Sequence, residues 1–223
     1  MTRKPIKNLH LRIKPFDGSI SVSAPYQITD PQILDFLEKH AAWIKRHRSA
    51  CQSIVKPEPL SDGAQISLLG DLITLRVVDL KKRGYAFDGA ILSVGGRDLL
   101  SPSLASVERF YRDRMREAVE PMLAAWSRRL KTPDVLLRLR AMTSRWGSCH
   151  VKKRVVTLNL RLALYPKPLL EYVLVHELLH FYHPNHSPAF YAAFAIHLPD
   201  FRERKRTLED LARQNVLPDP FLG

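Results

Sequence analysis

Residues 176–180 read His-Glu-Leu-Leu-His, a spacing that on a helix puts two imidazoles on one face. Positions i and i+4 differ by about 40° in azimuth and about 6 Å in rise, so both rings converge on a single metal ion. Glu177 lies about 100° further round, beside that ion rather than bound to it. From there a carboxylate can take a proton from a water on the metal. The surrounding segment, LLEYVLVHELLHFY at 169–182, is apolar enough to be buried on most faces. Two imidazoles and a carboxylate buried there without partners would cost several kcal/mol, and ligation to a metal removes that penalty. The competing reading makes them core histidines satisfied by hydrogen bonds beside a salt-bridged glutamate.

A catalytic zinc takes three protein ligands and leaves one position to water. His183 and His186 follow the motif. On an unbroken helix His183 would sit about 10 Å in rise from His176, and Pro184 disfavours helix at His183. Asn185 tolerates left-handed dihedrals and lets the chain turn. Ser187-Pro188 then starts the next helix as N-cap and first helical residue, fixing His186 at an elbow. His186 is therefore favoured over His183, with Glu203 on a following helix the weakest candidate. Three neutral imidazoles would leave one Zn2+ per chain doubly positive and bring the pKa of its water towards about 7. An additional electrophile would help attack on a carbonyl or phosphoryl centre. Arg145 is the first choice for that role, ahead of His183 and Tyr182, against the bland alternative of a structural ion pair.

The candidate substrate-contacting set is His183, Tyr182, Asn159 and Trp146. For Trp146 a packing role outweighs a substrate platform. Asn159, in mid-strand, either points into a cleft or faces solvent. Cys149 follows Gly147-Ser148 and could be imagined as a nucleophile, but nothing orients a base towards it, and a buried structural cysteine is the favoured reading.

The elements that must position these residues can be read from periodicity and punctuation. Residues 8–24 alternate as a β-hairpin around Pro15-Phe16-Asp17-Gly18. Residues 31–49 follow a helical spacing after Asp30-Pro31, and a proline-bearing connector covers 50–64. Strands near 65–69, 72–78 and 84–94 complete an antiparallel, meander-like region. The texture changes at Gly95-Gly96. A helix capped by Ser101 or Ser103 runs to about Leu130, with Pro121 expected to kink or divide it. Strands at 135–140 and 155–160 flank the loop SRWGSCHVKKR, and helices follow at 168–182, 188–196 and 200–214. The order indicates an α+β fold with a β-rich region at 1–100 and a hydrolase core at 101–223.

In 223 residues, 45% hydrophobic and 26% charged, a core forms without a disulfide framework, and Cys51 and Cys149 sit in unrelated contexts. No run of about 18 apolar residues suggests a membrane span. The basic opening segment lacks the apolar stretch of a secretory signal, so the expected setting is the reduced cytoplasm. The formal charge of +13 can attract nucleic acid, nucleotides or acidic proteins, although the cations are dispersed and no nucleic-acid motif is present.

The sequence resembles the YgjP-like metallopeptidase family, a small-zincin group. RKPIKNLHLRIKPFDGSISVSAP at 3–25 is similar to its opening hairpin and HAAWIKRHR at 40–48 to its first helix. SRWGSCHVKKRVVTLNLRLALYPKPLLEYVLVHELLHFYHPNHSPAFY at 144–191 is similar to its core in order and spacing. Trp146-Gly147-Ser148-Cys149, Leu158-Asn159, Tyr172-Val173, His176-Glu177, His180 and Asn185-His186-Ser187 fall on that pattern, and Pro184 departs from it. The resemblance implies one continuous domain over about 10–215, with an active-site helix under a mixed β-sheet and a strand near 154–160 lining the cleft. It also implies zinc on His176, His180 and His186, Glu177 as base, and a protein or peptide substrate. Two alternatives remain: a metal-dependent nucleotide phosphohydrolase, and a basic nucleic-acid-associated protein with a structural zinc. No phosphate-cradling Gly-rich loop supports the former, and the open three-histidine set beside a glutamate argues against the latter.

Overall fold

The computed structural model describes residues 1–13, 18–52, 59–79, 84–96, 101–214 and 218–221. The chain divides into two compact units, Met1–Lys56 with Arg213–Val216, and Pro57–Ala212 with Leu217–Gly223.

In the first unit, strands β1 (Thr2–Lys4), β2 (His10–Ile13) and β3 (Ile20–Pro25) are followed by helices α1 (Asp30–Lys39) and α2 (Ala41–Gln52). The expected hairpin is β2–β3, with Leu11 opposite Val22 and Ile13 opposite Ile20. Of its expected turn only Gly18, at φ +62°, lies among the described residues. The short β1 adds in parallel to β3, a pairing with no local signal. The single helix expected at 31–49 is two helices. The backbone N–H of His40 bonds to both the Phe36 and Leu37 carbonyls at 3.2 Å, and its ring Nδ1 sits 2.7 Å from the Phe36 oxygen. That tightened turn closes α1. The expected connector at 50–64 lies partly outside the described residues.

The second unit opens with β4 (Gln65–Leu68), β5 (Asp71–Val78), β6 (Tyr85–Phe87) and β7 (Ile91–Gly95), in sheet order β4-β5-β7-β6. The region is not antiparallel throughout, because β5 and β7 pair in parallel. The strand expected at 84–94 turns back on itself at Asp88-Gly89, where Gly89 has φ +105°. The Asp88 carboxylate accepts from the Ala90 and Ile91 N–H groups at 2.9 and 2.8 Å. That turn reverses the chain, so β6 and β7 form an antiparallel hairpin and β7 runs with β5.

Helix α3 (Leu104–Leu130) runs unbroken through Pro121. It buries Val107, Phe110, Tyr111, Met115, Val119, Trp126 and Leu130 at helical spacing, in the same core as Ile66, Leu75, Leu92 and Val94 of the four-stranded sheet. This shared core is why the units part at Lys56–Pro57 and not at the change of texture near residue 100.

Strands β8 (Leu136–Arg140), β9 (Gly147–His150) and β10 (Val155–Asn159) form a mixed sheet of order β8-β10-β9, with β9 at its edge. A 3-10 turn at Leu160–Leu164 leads into α4 (Lys167–Leu179), followed by α5 (Pro188–His197) and α6 (Phe201–Gln214). Helix α4 buries Leu169, Leu170, Val173, Leu174, Val175, Leu178 and Leu179, each contributing about 1.5–3 kcal/mol over exposure. The Trp126 indole donates to Glu171 Oε1 at 2.9 Å, and Arg204 donates to Glu171 Oε2 at 2.6 Å, tying α3 and α6 to α4. Among the described residues no helix is long and apolar enough to cross a membrane.

Candidate metal centre

Helix α4 ends at Leu179, earlier than expected, because i→i+3 bonds tighten its last turn: Phe181 N–H to Leu178 and Tyr182 N–H to Leu179. His180 caps it while keeping right-handed helical dihedrals, so His176 and His180 retain their one-turn relation. Past Pro184 the chain turns back, and Ser187 Oγ caps α5 by accepting from the Phe190 N–H at 3.3 Å. His186 stands at that elbow with its Nε2 2.9 Å from His176 Nε2. One ligand atom from each of His176, His180 and His186 lies within 4.8 Å of the others, so the three could hold a metal ion.

The donor set fits a divalent transition metal. Burial, then His180, His186 and Lys205, depress the His176 pKa to about 3, so its ring stays neutral and its lone pair is free over the physiological range. Burial and the same neighbours His180 and Lys205 also depress His186. The His180 Nδ1–H points at the His183 backbone carbonyl, 2.9 Å away. That bond fixes the ring and leaves Nε2 as the nitrogen of His180 free to coordinate an ion.

Phe190 forms the floor under all three rings, with centroids 5.0, 5.1 and 5.0 Å from His176, His180 and His186. It is fully buried, and nothing in the sequence motif pointed to it; the only signal was its place in the first turn of the helix after the elbow. Phe190→Ala should destabilise the fold by about 3–5 kcal/mol and weaken metal retention, read by urea denaturation and by metal content after dialysis.

Glu177 is 6% exposed and its carboxyl makes no hydrogen bond among the described residues. Burial raises its pKa to about 8, a shift that Arg145 partly opposes. The carboxyl opens onto a cavity of about 540 Å3 whose walls include Arg145, Gly147, Cys149, His176, His180 and His186. A buried carboxyl held near neutrality beside nitrogen ligands is suited to taking and returning one proton.

Gly147 explains how that carboxyl fits. A Cβ built on Gly147 would fall 2.6 Å from Glu177 Oε1 and 2.8 Å from its Cγ, closer than non-bonded atoms approach. The glycine is required for contact, since its φ is not in the positive region. Gly147→Ala should leave metal content intact and reduce turnover at least about tenfold by displacing the carboxyl, measured as kcat alongside zinc content.

The other residues singled out from sequence divide. Arg145 lines the cavity with Glu177. Trp146, Asn159, Tyr182 and His183 do not, and each side chain is engaged elsewhere. Trp146 packs edge-on to Tyr165 at 5.5 Å with the Arg161 guanidinium 5.7 Å away. The Tyr182 hydroxyl donates to the Leu130 and Lys131 carbonyls left open at the end of α3. The His183 ring lies against Phe190 at 6.4 Å, and what it gives the site is its carbonyl. Asn159 is buried and fully hydrogen-bonded to backbone. Cys149 borders the cavity, but burial and then Glu177 push its thiol up to about 11, so at neutral pH it is no nucleophile.

The family model of the YgjP-like metallopeptidase domain matches residues 7–211. No curated protein matches the chain. Two solved structures are similar over part of it. The metallopeptidase zymogen jannalysin of Methanocaldococcus jannaschii is 18% identical over 42% of this chain and 88% of its own, with a TM-score of 0.39. The metallopeptidase zymogen abylysin of Pyrococcus abyssi is 21% identical over 44% of this chain and 99% of its own, with a TM-score of 0.40.

Proposed function

The chain belongs to the YgjP-like metallopeptidase domain family, and from that premise we propose that it is a zinc-dependent peptidase, with one ion per chain on His176, His180 and His186. Zinc held there would supply Lewis-acid polarisation of the scissile carbonyl and of water. In this reading the Glu177 carboxylate takes the proton from the attacking water and passes it to the leaving nitrogen. Arg145 faces the same cavity and offsets the negative charge that develops on the carbonyl oxygen.

The observation that carries the reading is the pairing of three clustered imidazoles with a buried carboxyl that has no hydrogen-bond partner among the described residues. The edge of β9 supports a peptide as the substrate. Trp146 accepts from Asn159 N–H at 2.8 Å, which sets Ser148 and His150 as the residues hydrogen-bonded to β10. Gly147 and Cys149 then turn their N–H and C=O groups outward along the cavity, where an extended chain could pair with them.

A second reading has one observation behind it. Arg138 and Arg140 on β8, and Lys152, Lys153 and Arg154 after β9, are exposed and enter no ion pair among the described residues. They favour polyanion contact beside the catalytic reading. The deciding experiment assays zinc-loaded full chain against unfolded protein, peptides and nucleoside triphosphates, with Glu177→Gln as control. Cleavage of protein or peptide by the wild type alone is expected. Turnover of triphosphates only would reject the peptidase reading, and steeply salt-dependent DNA binding insensitive to chelation would favour the nucleic-acid-binding reading.

A further inference from the structure

We propose that Asn159 is the positioning residue that fixes Arg145 at the metal pocket, an inference that rests on the peptidase reading above. Asn159, the last residue of β10, is 2% exposed. Its Nδ2 donates to the Met142 carbonyl at 2.7 Å and to the Arg145 carbonyl at 2.8 Å. Its Oδ1 accepts from the Met142 N–H at 3.2 Å and from the Arg161 N–H at 3.1 Å. A carboxamide has two N–H donors and two acceptor sites, and all four are consumed by backbone. The side chain therefore has nothing left to offer a substrate.

What it holds is the irregular stretch from the end of β8 to the start of β9. By bonding both the N–H and the C=O of Met142, the amide does for that residue what a neighbouring strand would do. Its second donor catches Arg145 itself, and its backbone N–H holds the next carbonyl, that of Trp146, at 2.8 Å. The Trp146 ring is set between Tyr165 and Arg161, and Arg161 is anchored at 2.7 Å by the buried carboxylate of Asp219. An exposed cation on a loop without a ladder of its own would otherwise sample many positions. Here the backbone oxygen of Arg145 is pinned, while its side chain faces the cavity and Glu177. Asn159 acts on the chemistry through Arg145, with no contact to the reacting groups.

The test is a double-mutant cycle on the zinc-loaded full chain, joining Asn159→Asp with Arg145→Ala. Aspartate keeps the shape and replaces both donors with an oxygen that repels the Met142 and Arg145 carbonyls. The single variant should lose about 10- to 100-fold in kcat, with KM changed less and zinc content unchanged. In the Arg145→Ala background the same change should cause no further loss. Additive losses would overturn the proposal. Hydrogen exchange supplies a readout that needs no activity: amides of 141–147 should exchange at least about tenfold faster in Asn159→Asp while those of α4 do not change. Unchanged exchange in 141–147, or uniform acceleration across the chain, would also overturn it. Should Asn159→Asp not fold, Asn159→Ser, which keeps one hydroxyl, serves in both arms. A wild type no more active than Glu177→Gln would sink the peptidase reading and leave the exchange arm to decide the staple.

Discussion

Glu177→Gln should retain stoichiometric zinc and lose peptide hydrolysis by roughly 10²- to 10⁴-fold, the range in which a positioned general base contributes. Glutamine keeps the shape beside Gly147 and removes the proton acceptor, so binding and catalysis separate. Full activity in this variant would remove Glu177 from the mechanism. The same substitution carries a pH signature in the metal-free protein. Burial raises the Glu177 pKa from 4.5 to about 8, so the folded state holds this proton more tightly than the unfolded chain. The stability it contributes is fully present below 4.5 and is lost as pH rises through about 8. Glutamine has no proton to lose. In chelator, the variant should therefore gain on the wild type across that window, by about 4–5 kcal/mol at its top. His176, depressed to about 3, works in the opposite sense: its contribution is present above 6.5 and is lost as pH falls. Both proteins share it, so it cancels in the difference. Urea midpoints measured in EDTA from pH 4 to 9 read the effect, and parallel curves would show that the carboxyl is not held near neutrality.

The second large effect separates the histidines. His180→Ala and His186→Ala should each lose zinc on gel filtration, whereas His183→Ala should keep it. The His180 ring is oriented by the carbonyl of His183, 2.9 Å from its Nδ1, and a backbone carbonyl survives replacement of its own side chain. Zinc content per chain by elemental analysis tells them apart. Loss of zinc in His183→Ala equal to that in His180→Ala would mean that the imidazole of His183 takes part in binding.

The cluster of His176, His180 and His186 was legible because it is local. Helical repeat, Pro184 and the Ser187 cap are features of a few consecutive residues, and together they bring His186 back to His176. Where Tyr182, Trp146 and Asn159 point was not legible, because the direction of each of these side chains depends on a partner remote in sequence. The Tyr182 hydroxyl is captured by carbonyls of Leu130 and Lys131, about fifty residues away in sequence. Trp146 is turned by Tyr165 and Arg161, and Asn159 by a loop whose path no propensity describes. Gly147 carries no pattern of its own, since its meaning lies in the Glu177 side chain that lands on it. Pairing is equally long-range. Alternation marked β5, but only the tight reversal at Asp88-Gly89 decides that β7 runs beside it in the same sense.

All three nitrogen donors and the aromatic ring beneath them come from one stretch, 176–190, joined by a single short reversal. Bringing such near neighbours together gives up little chain freedom, and the main apolar packing of the second unit lies in α3, α4 and the sheets around them. Loading and unloading of an ion held there would thereby be separable from assembly of the body. Stripping by a chelator should leave a folded, reloadable apoprotein, and a nascent chain could acquire its ion after the scaffold is complete.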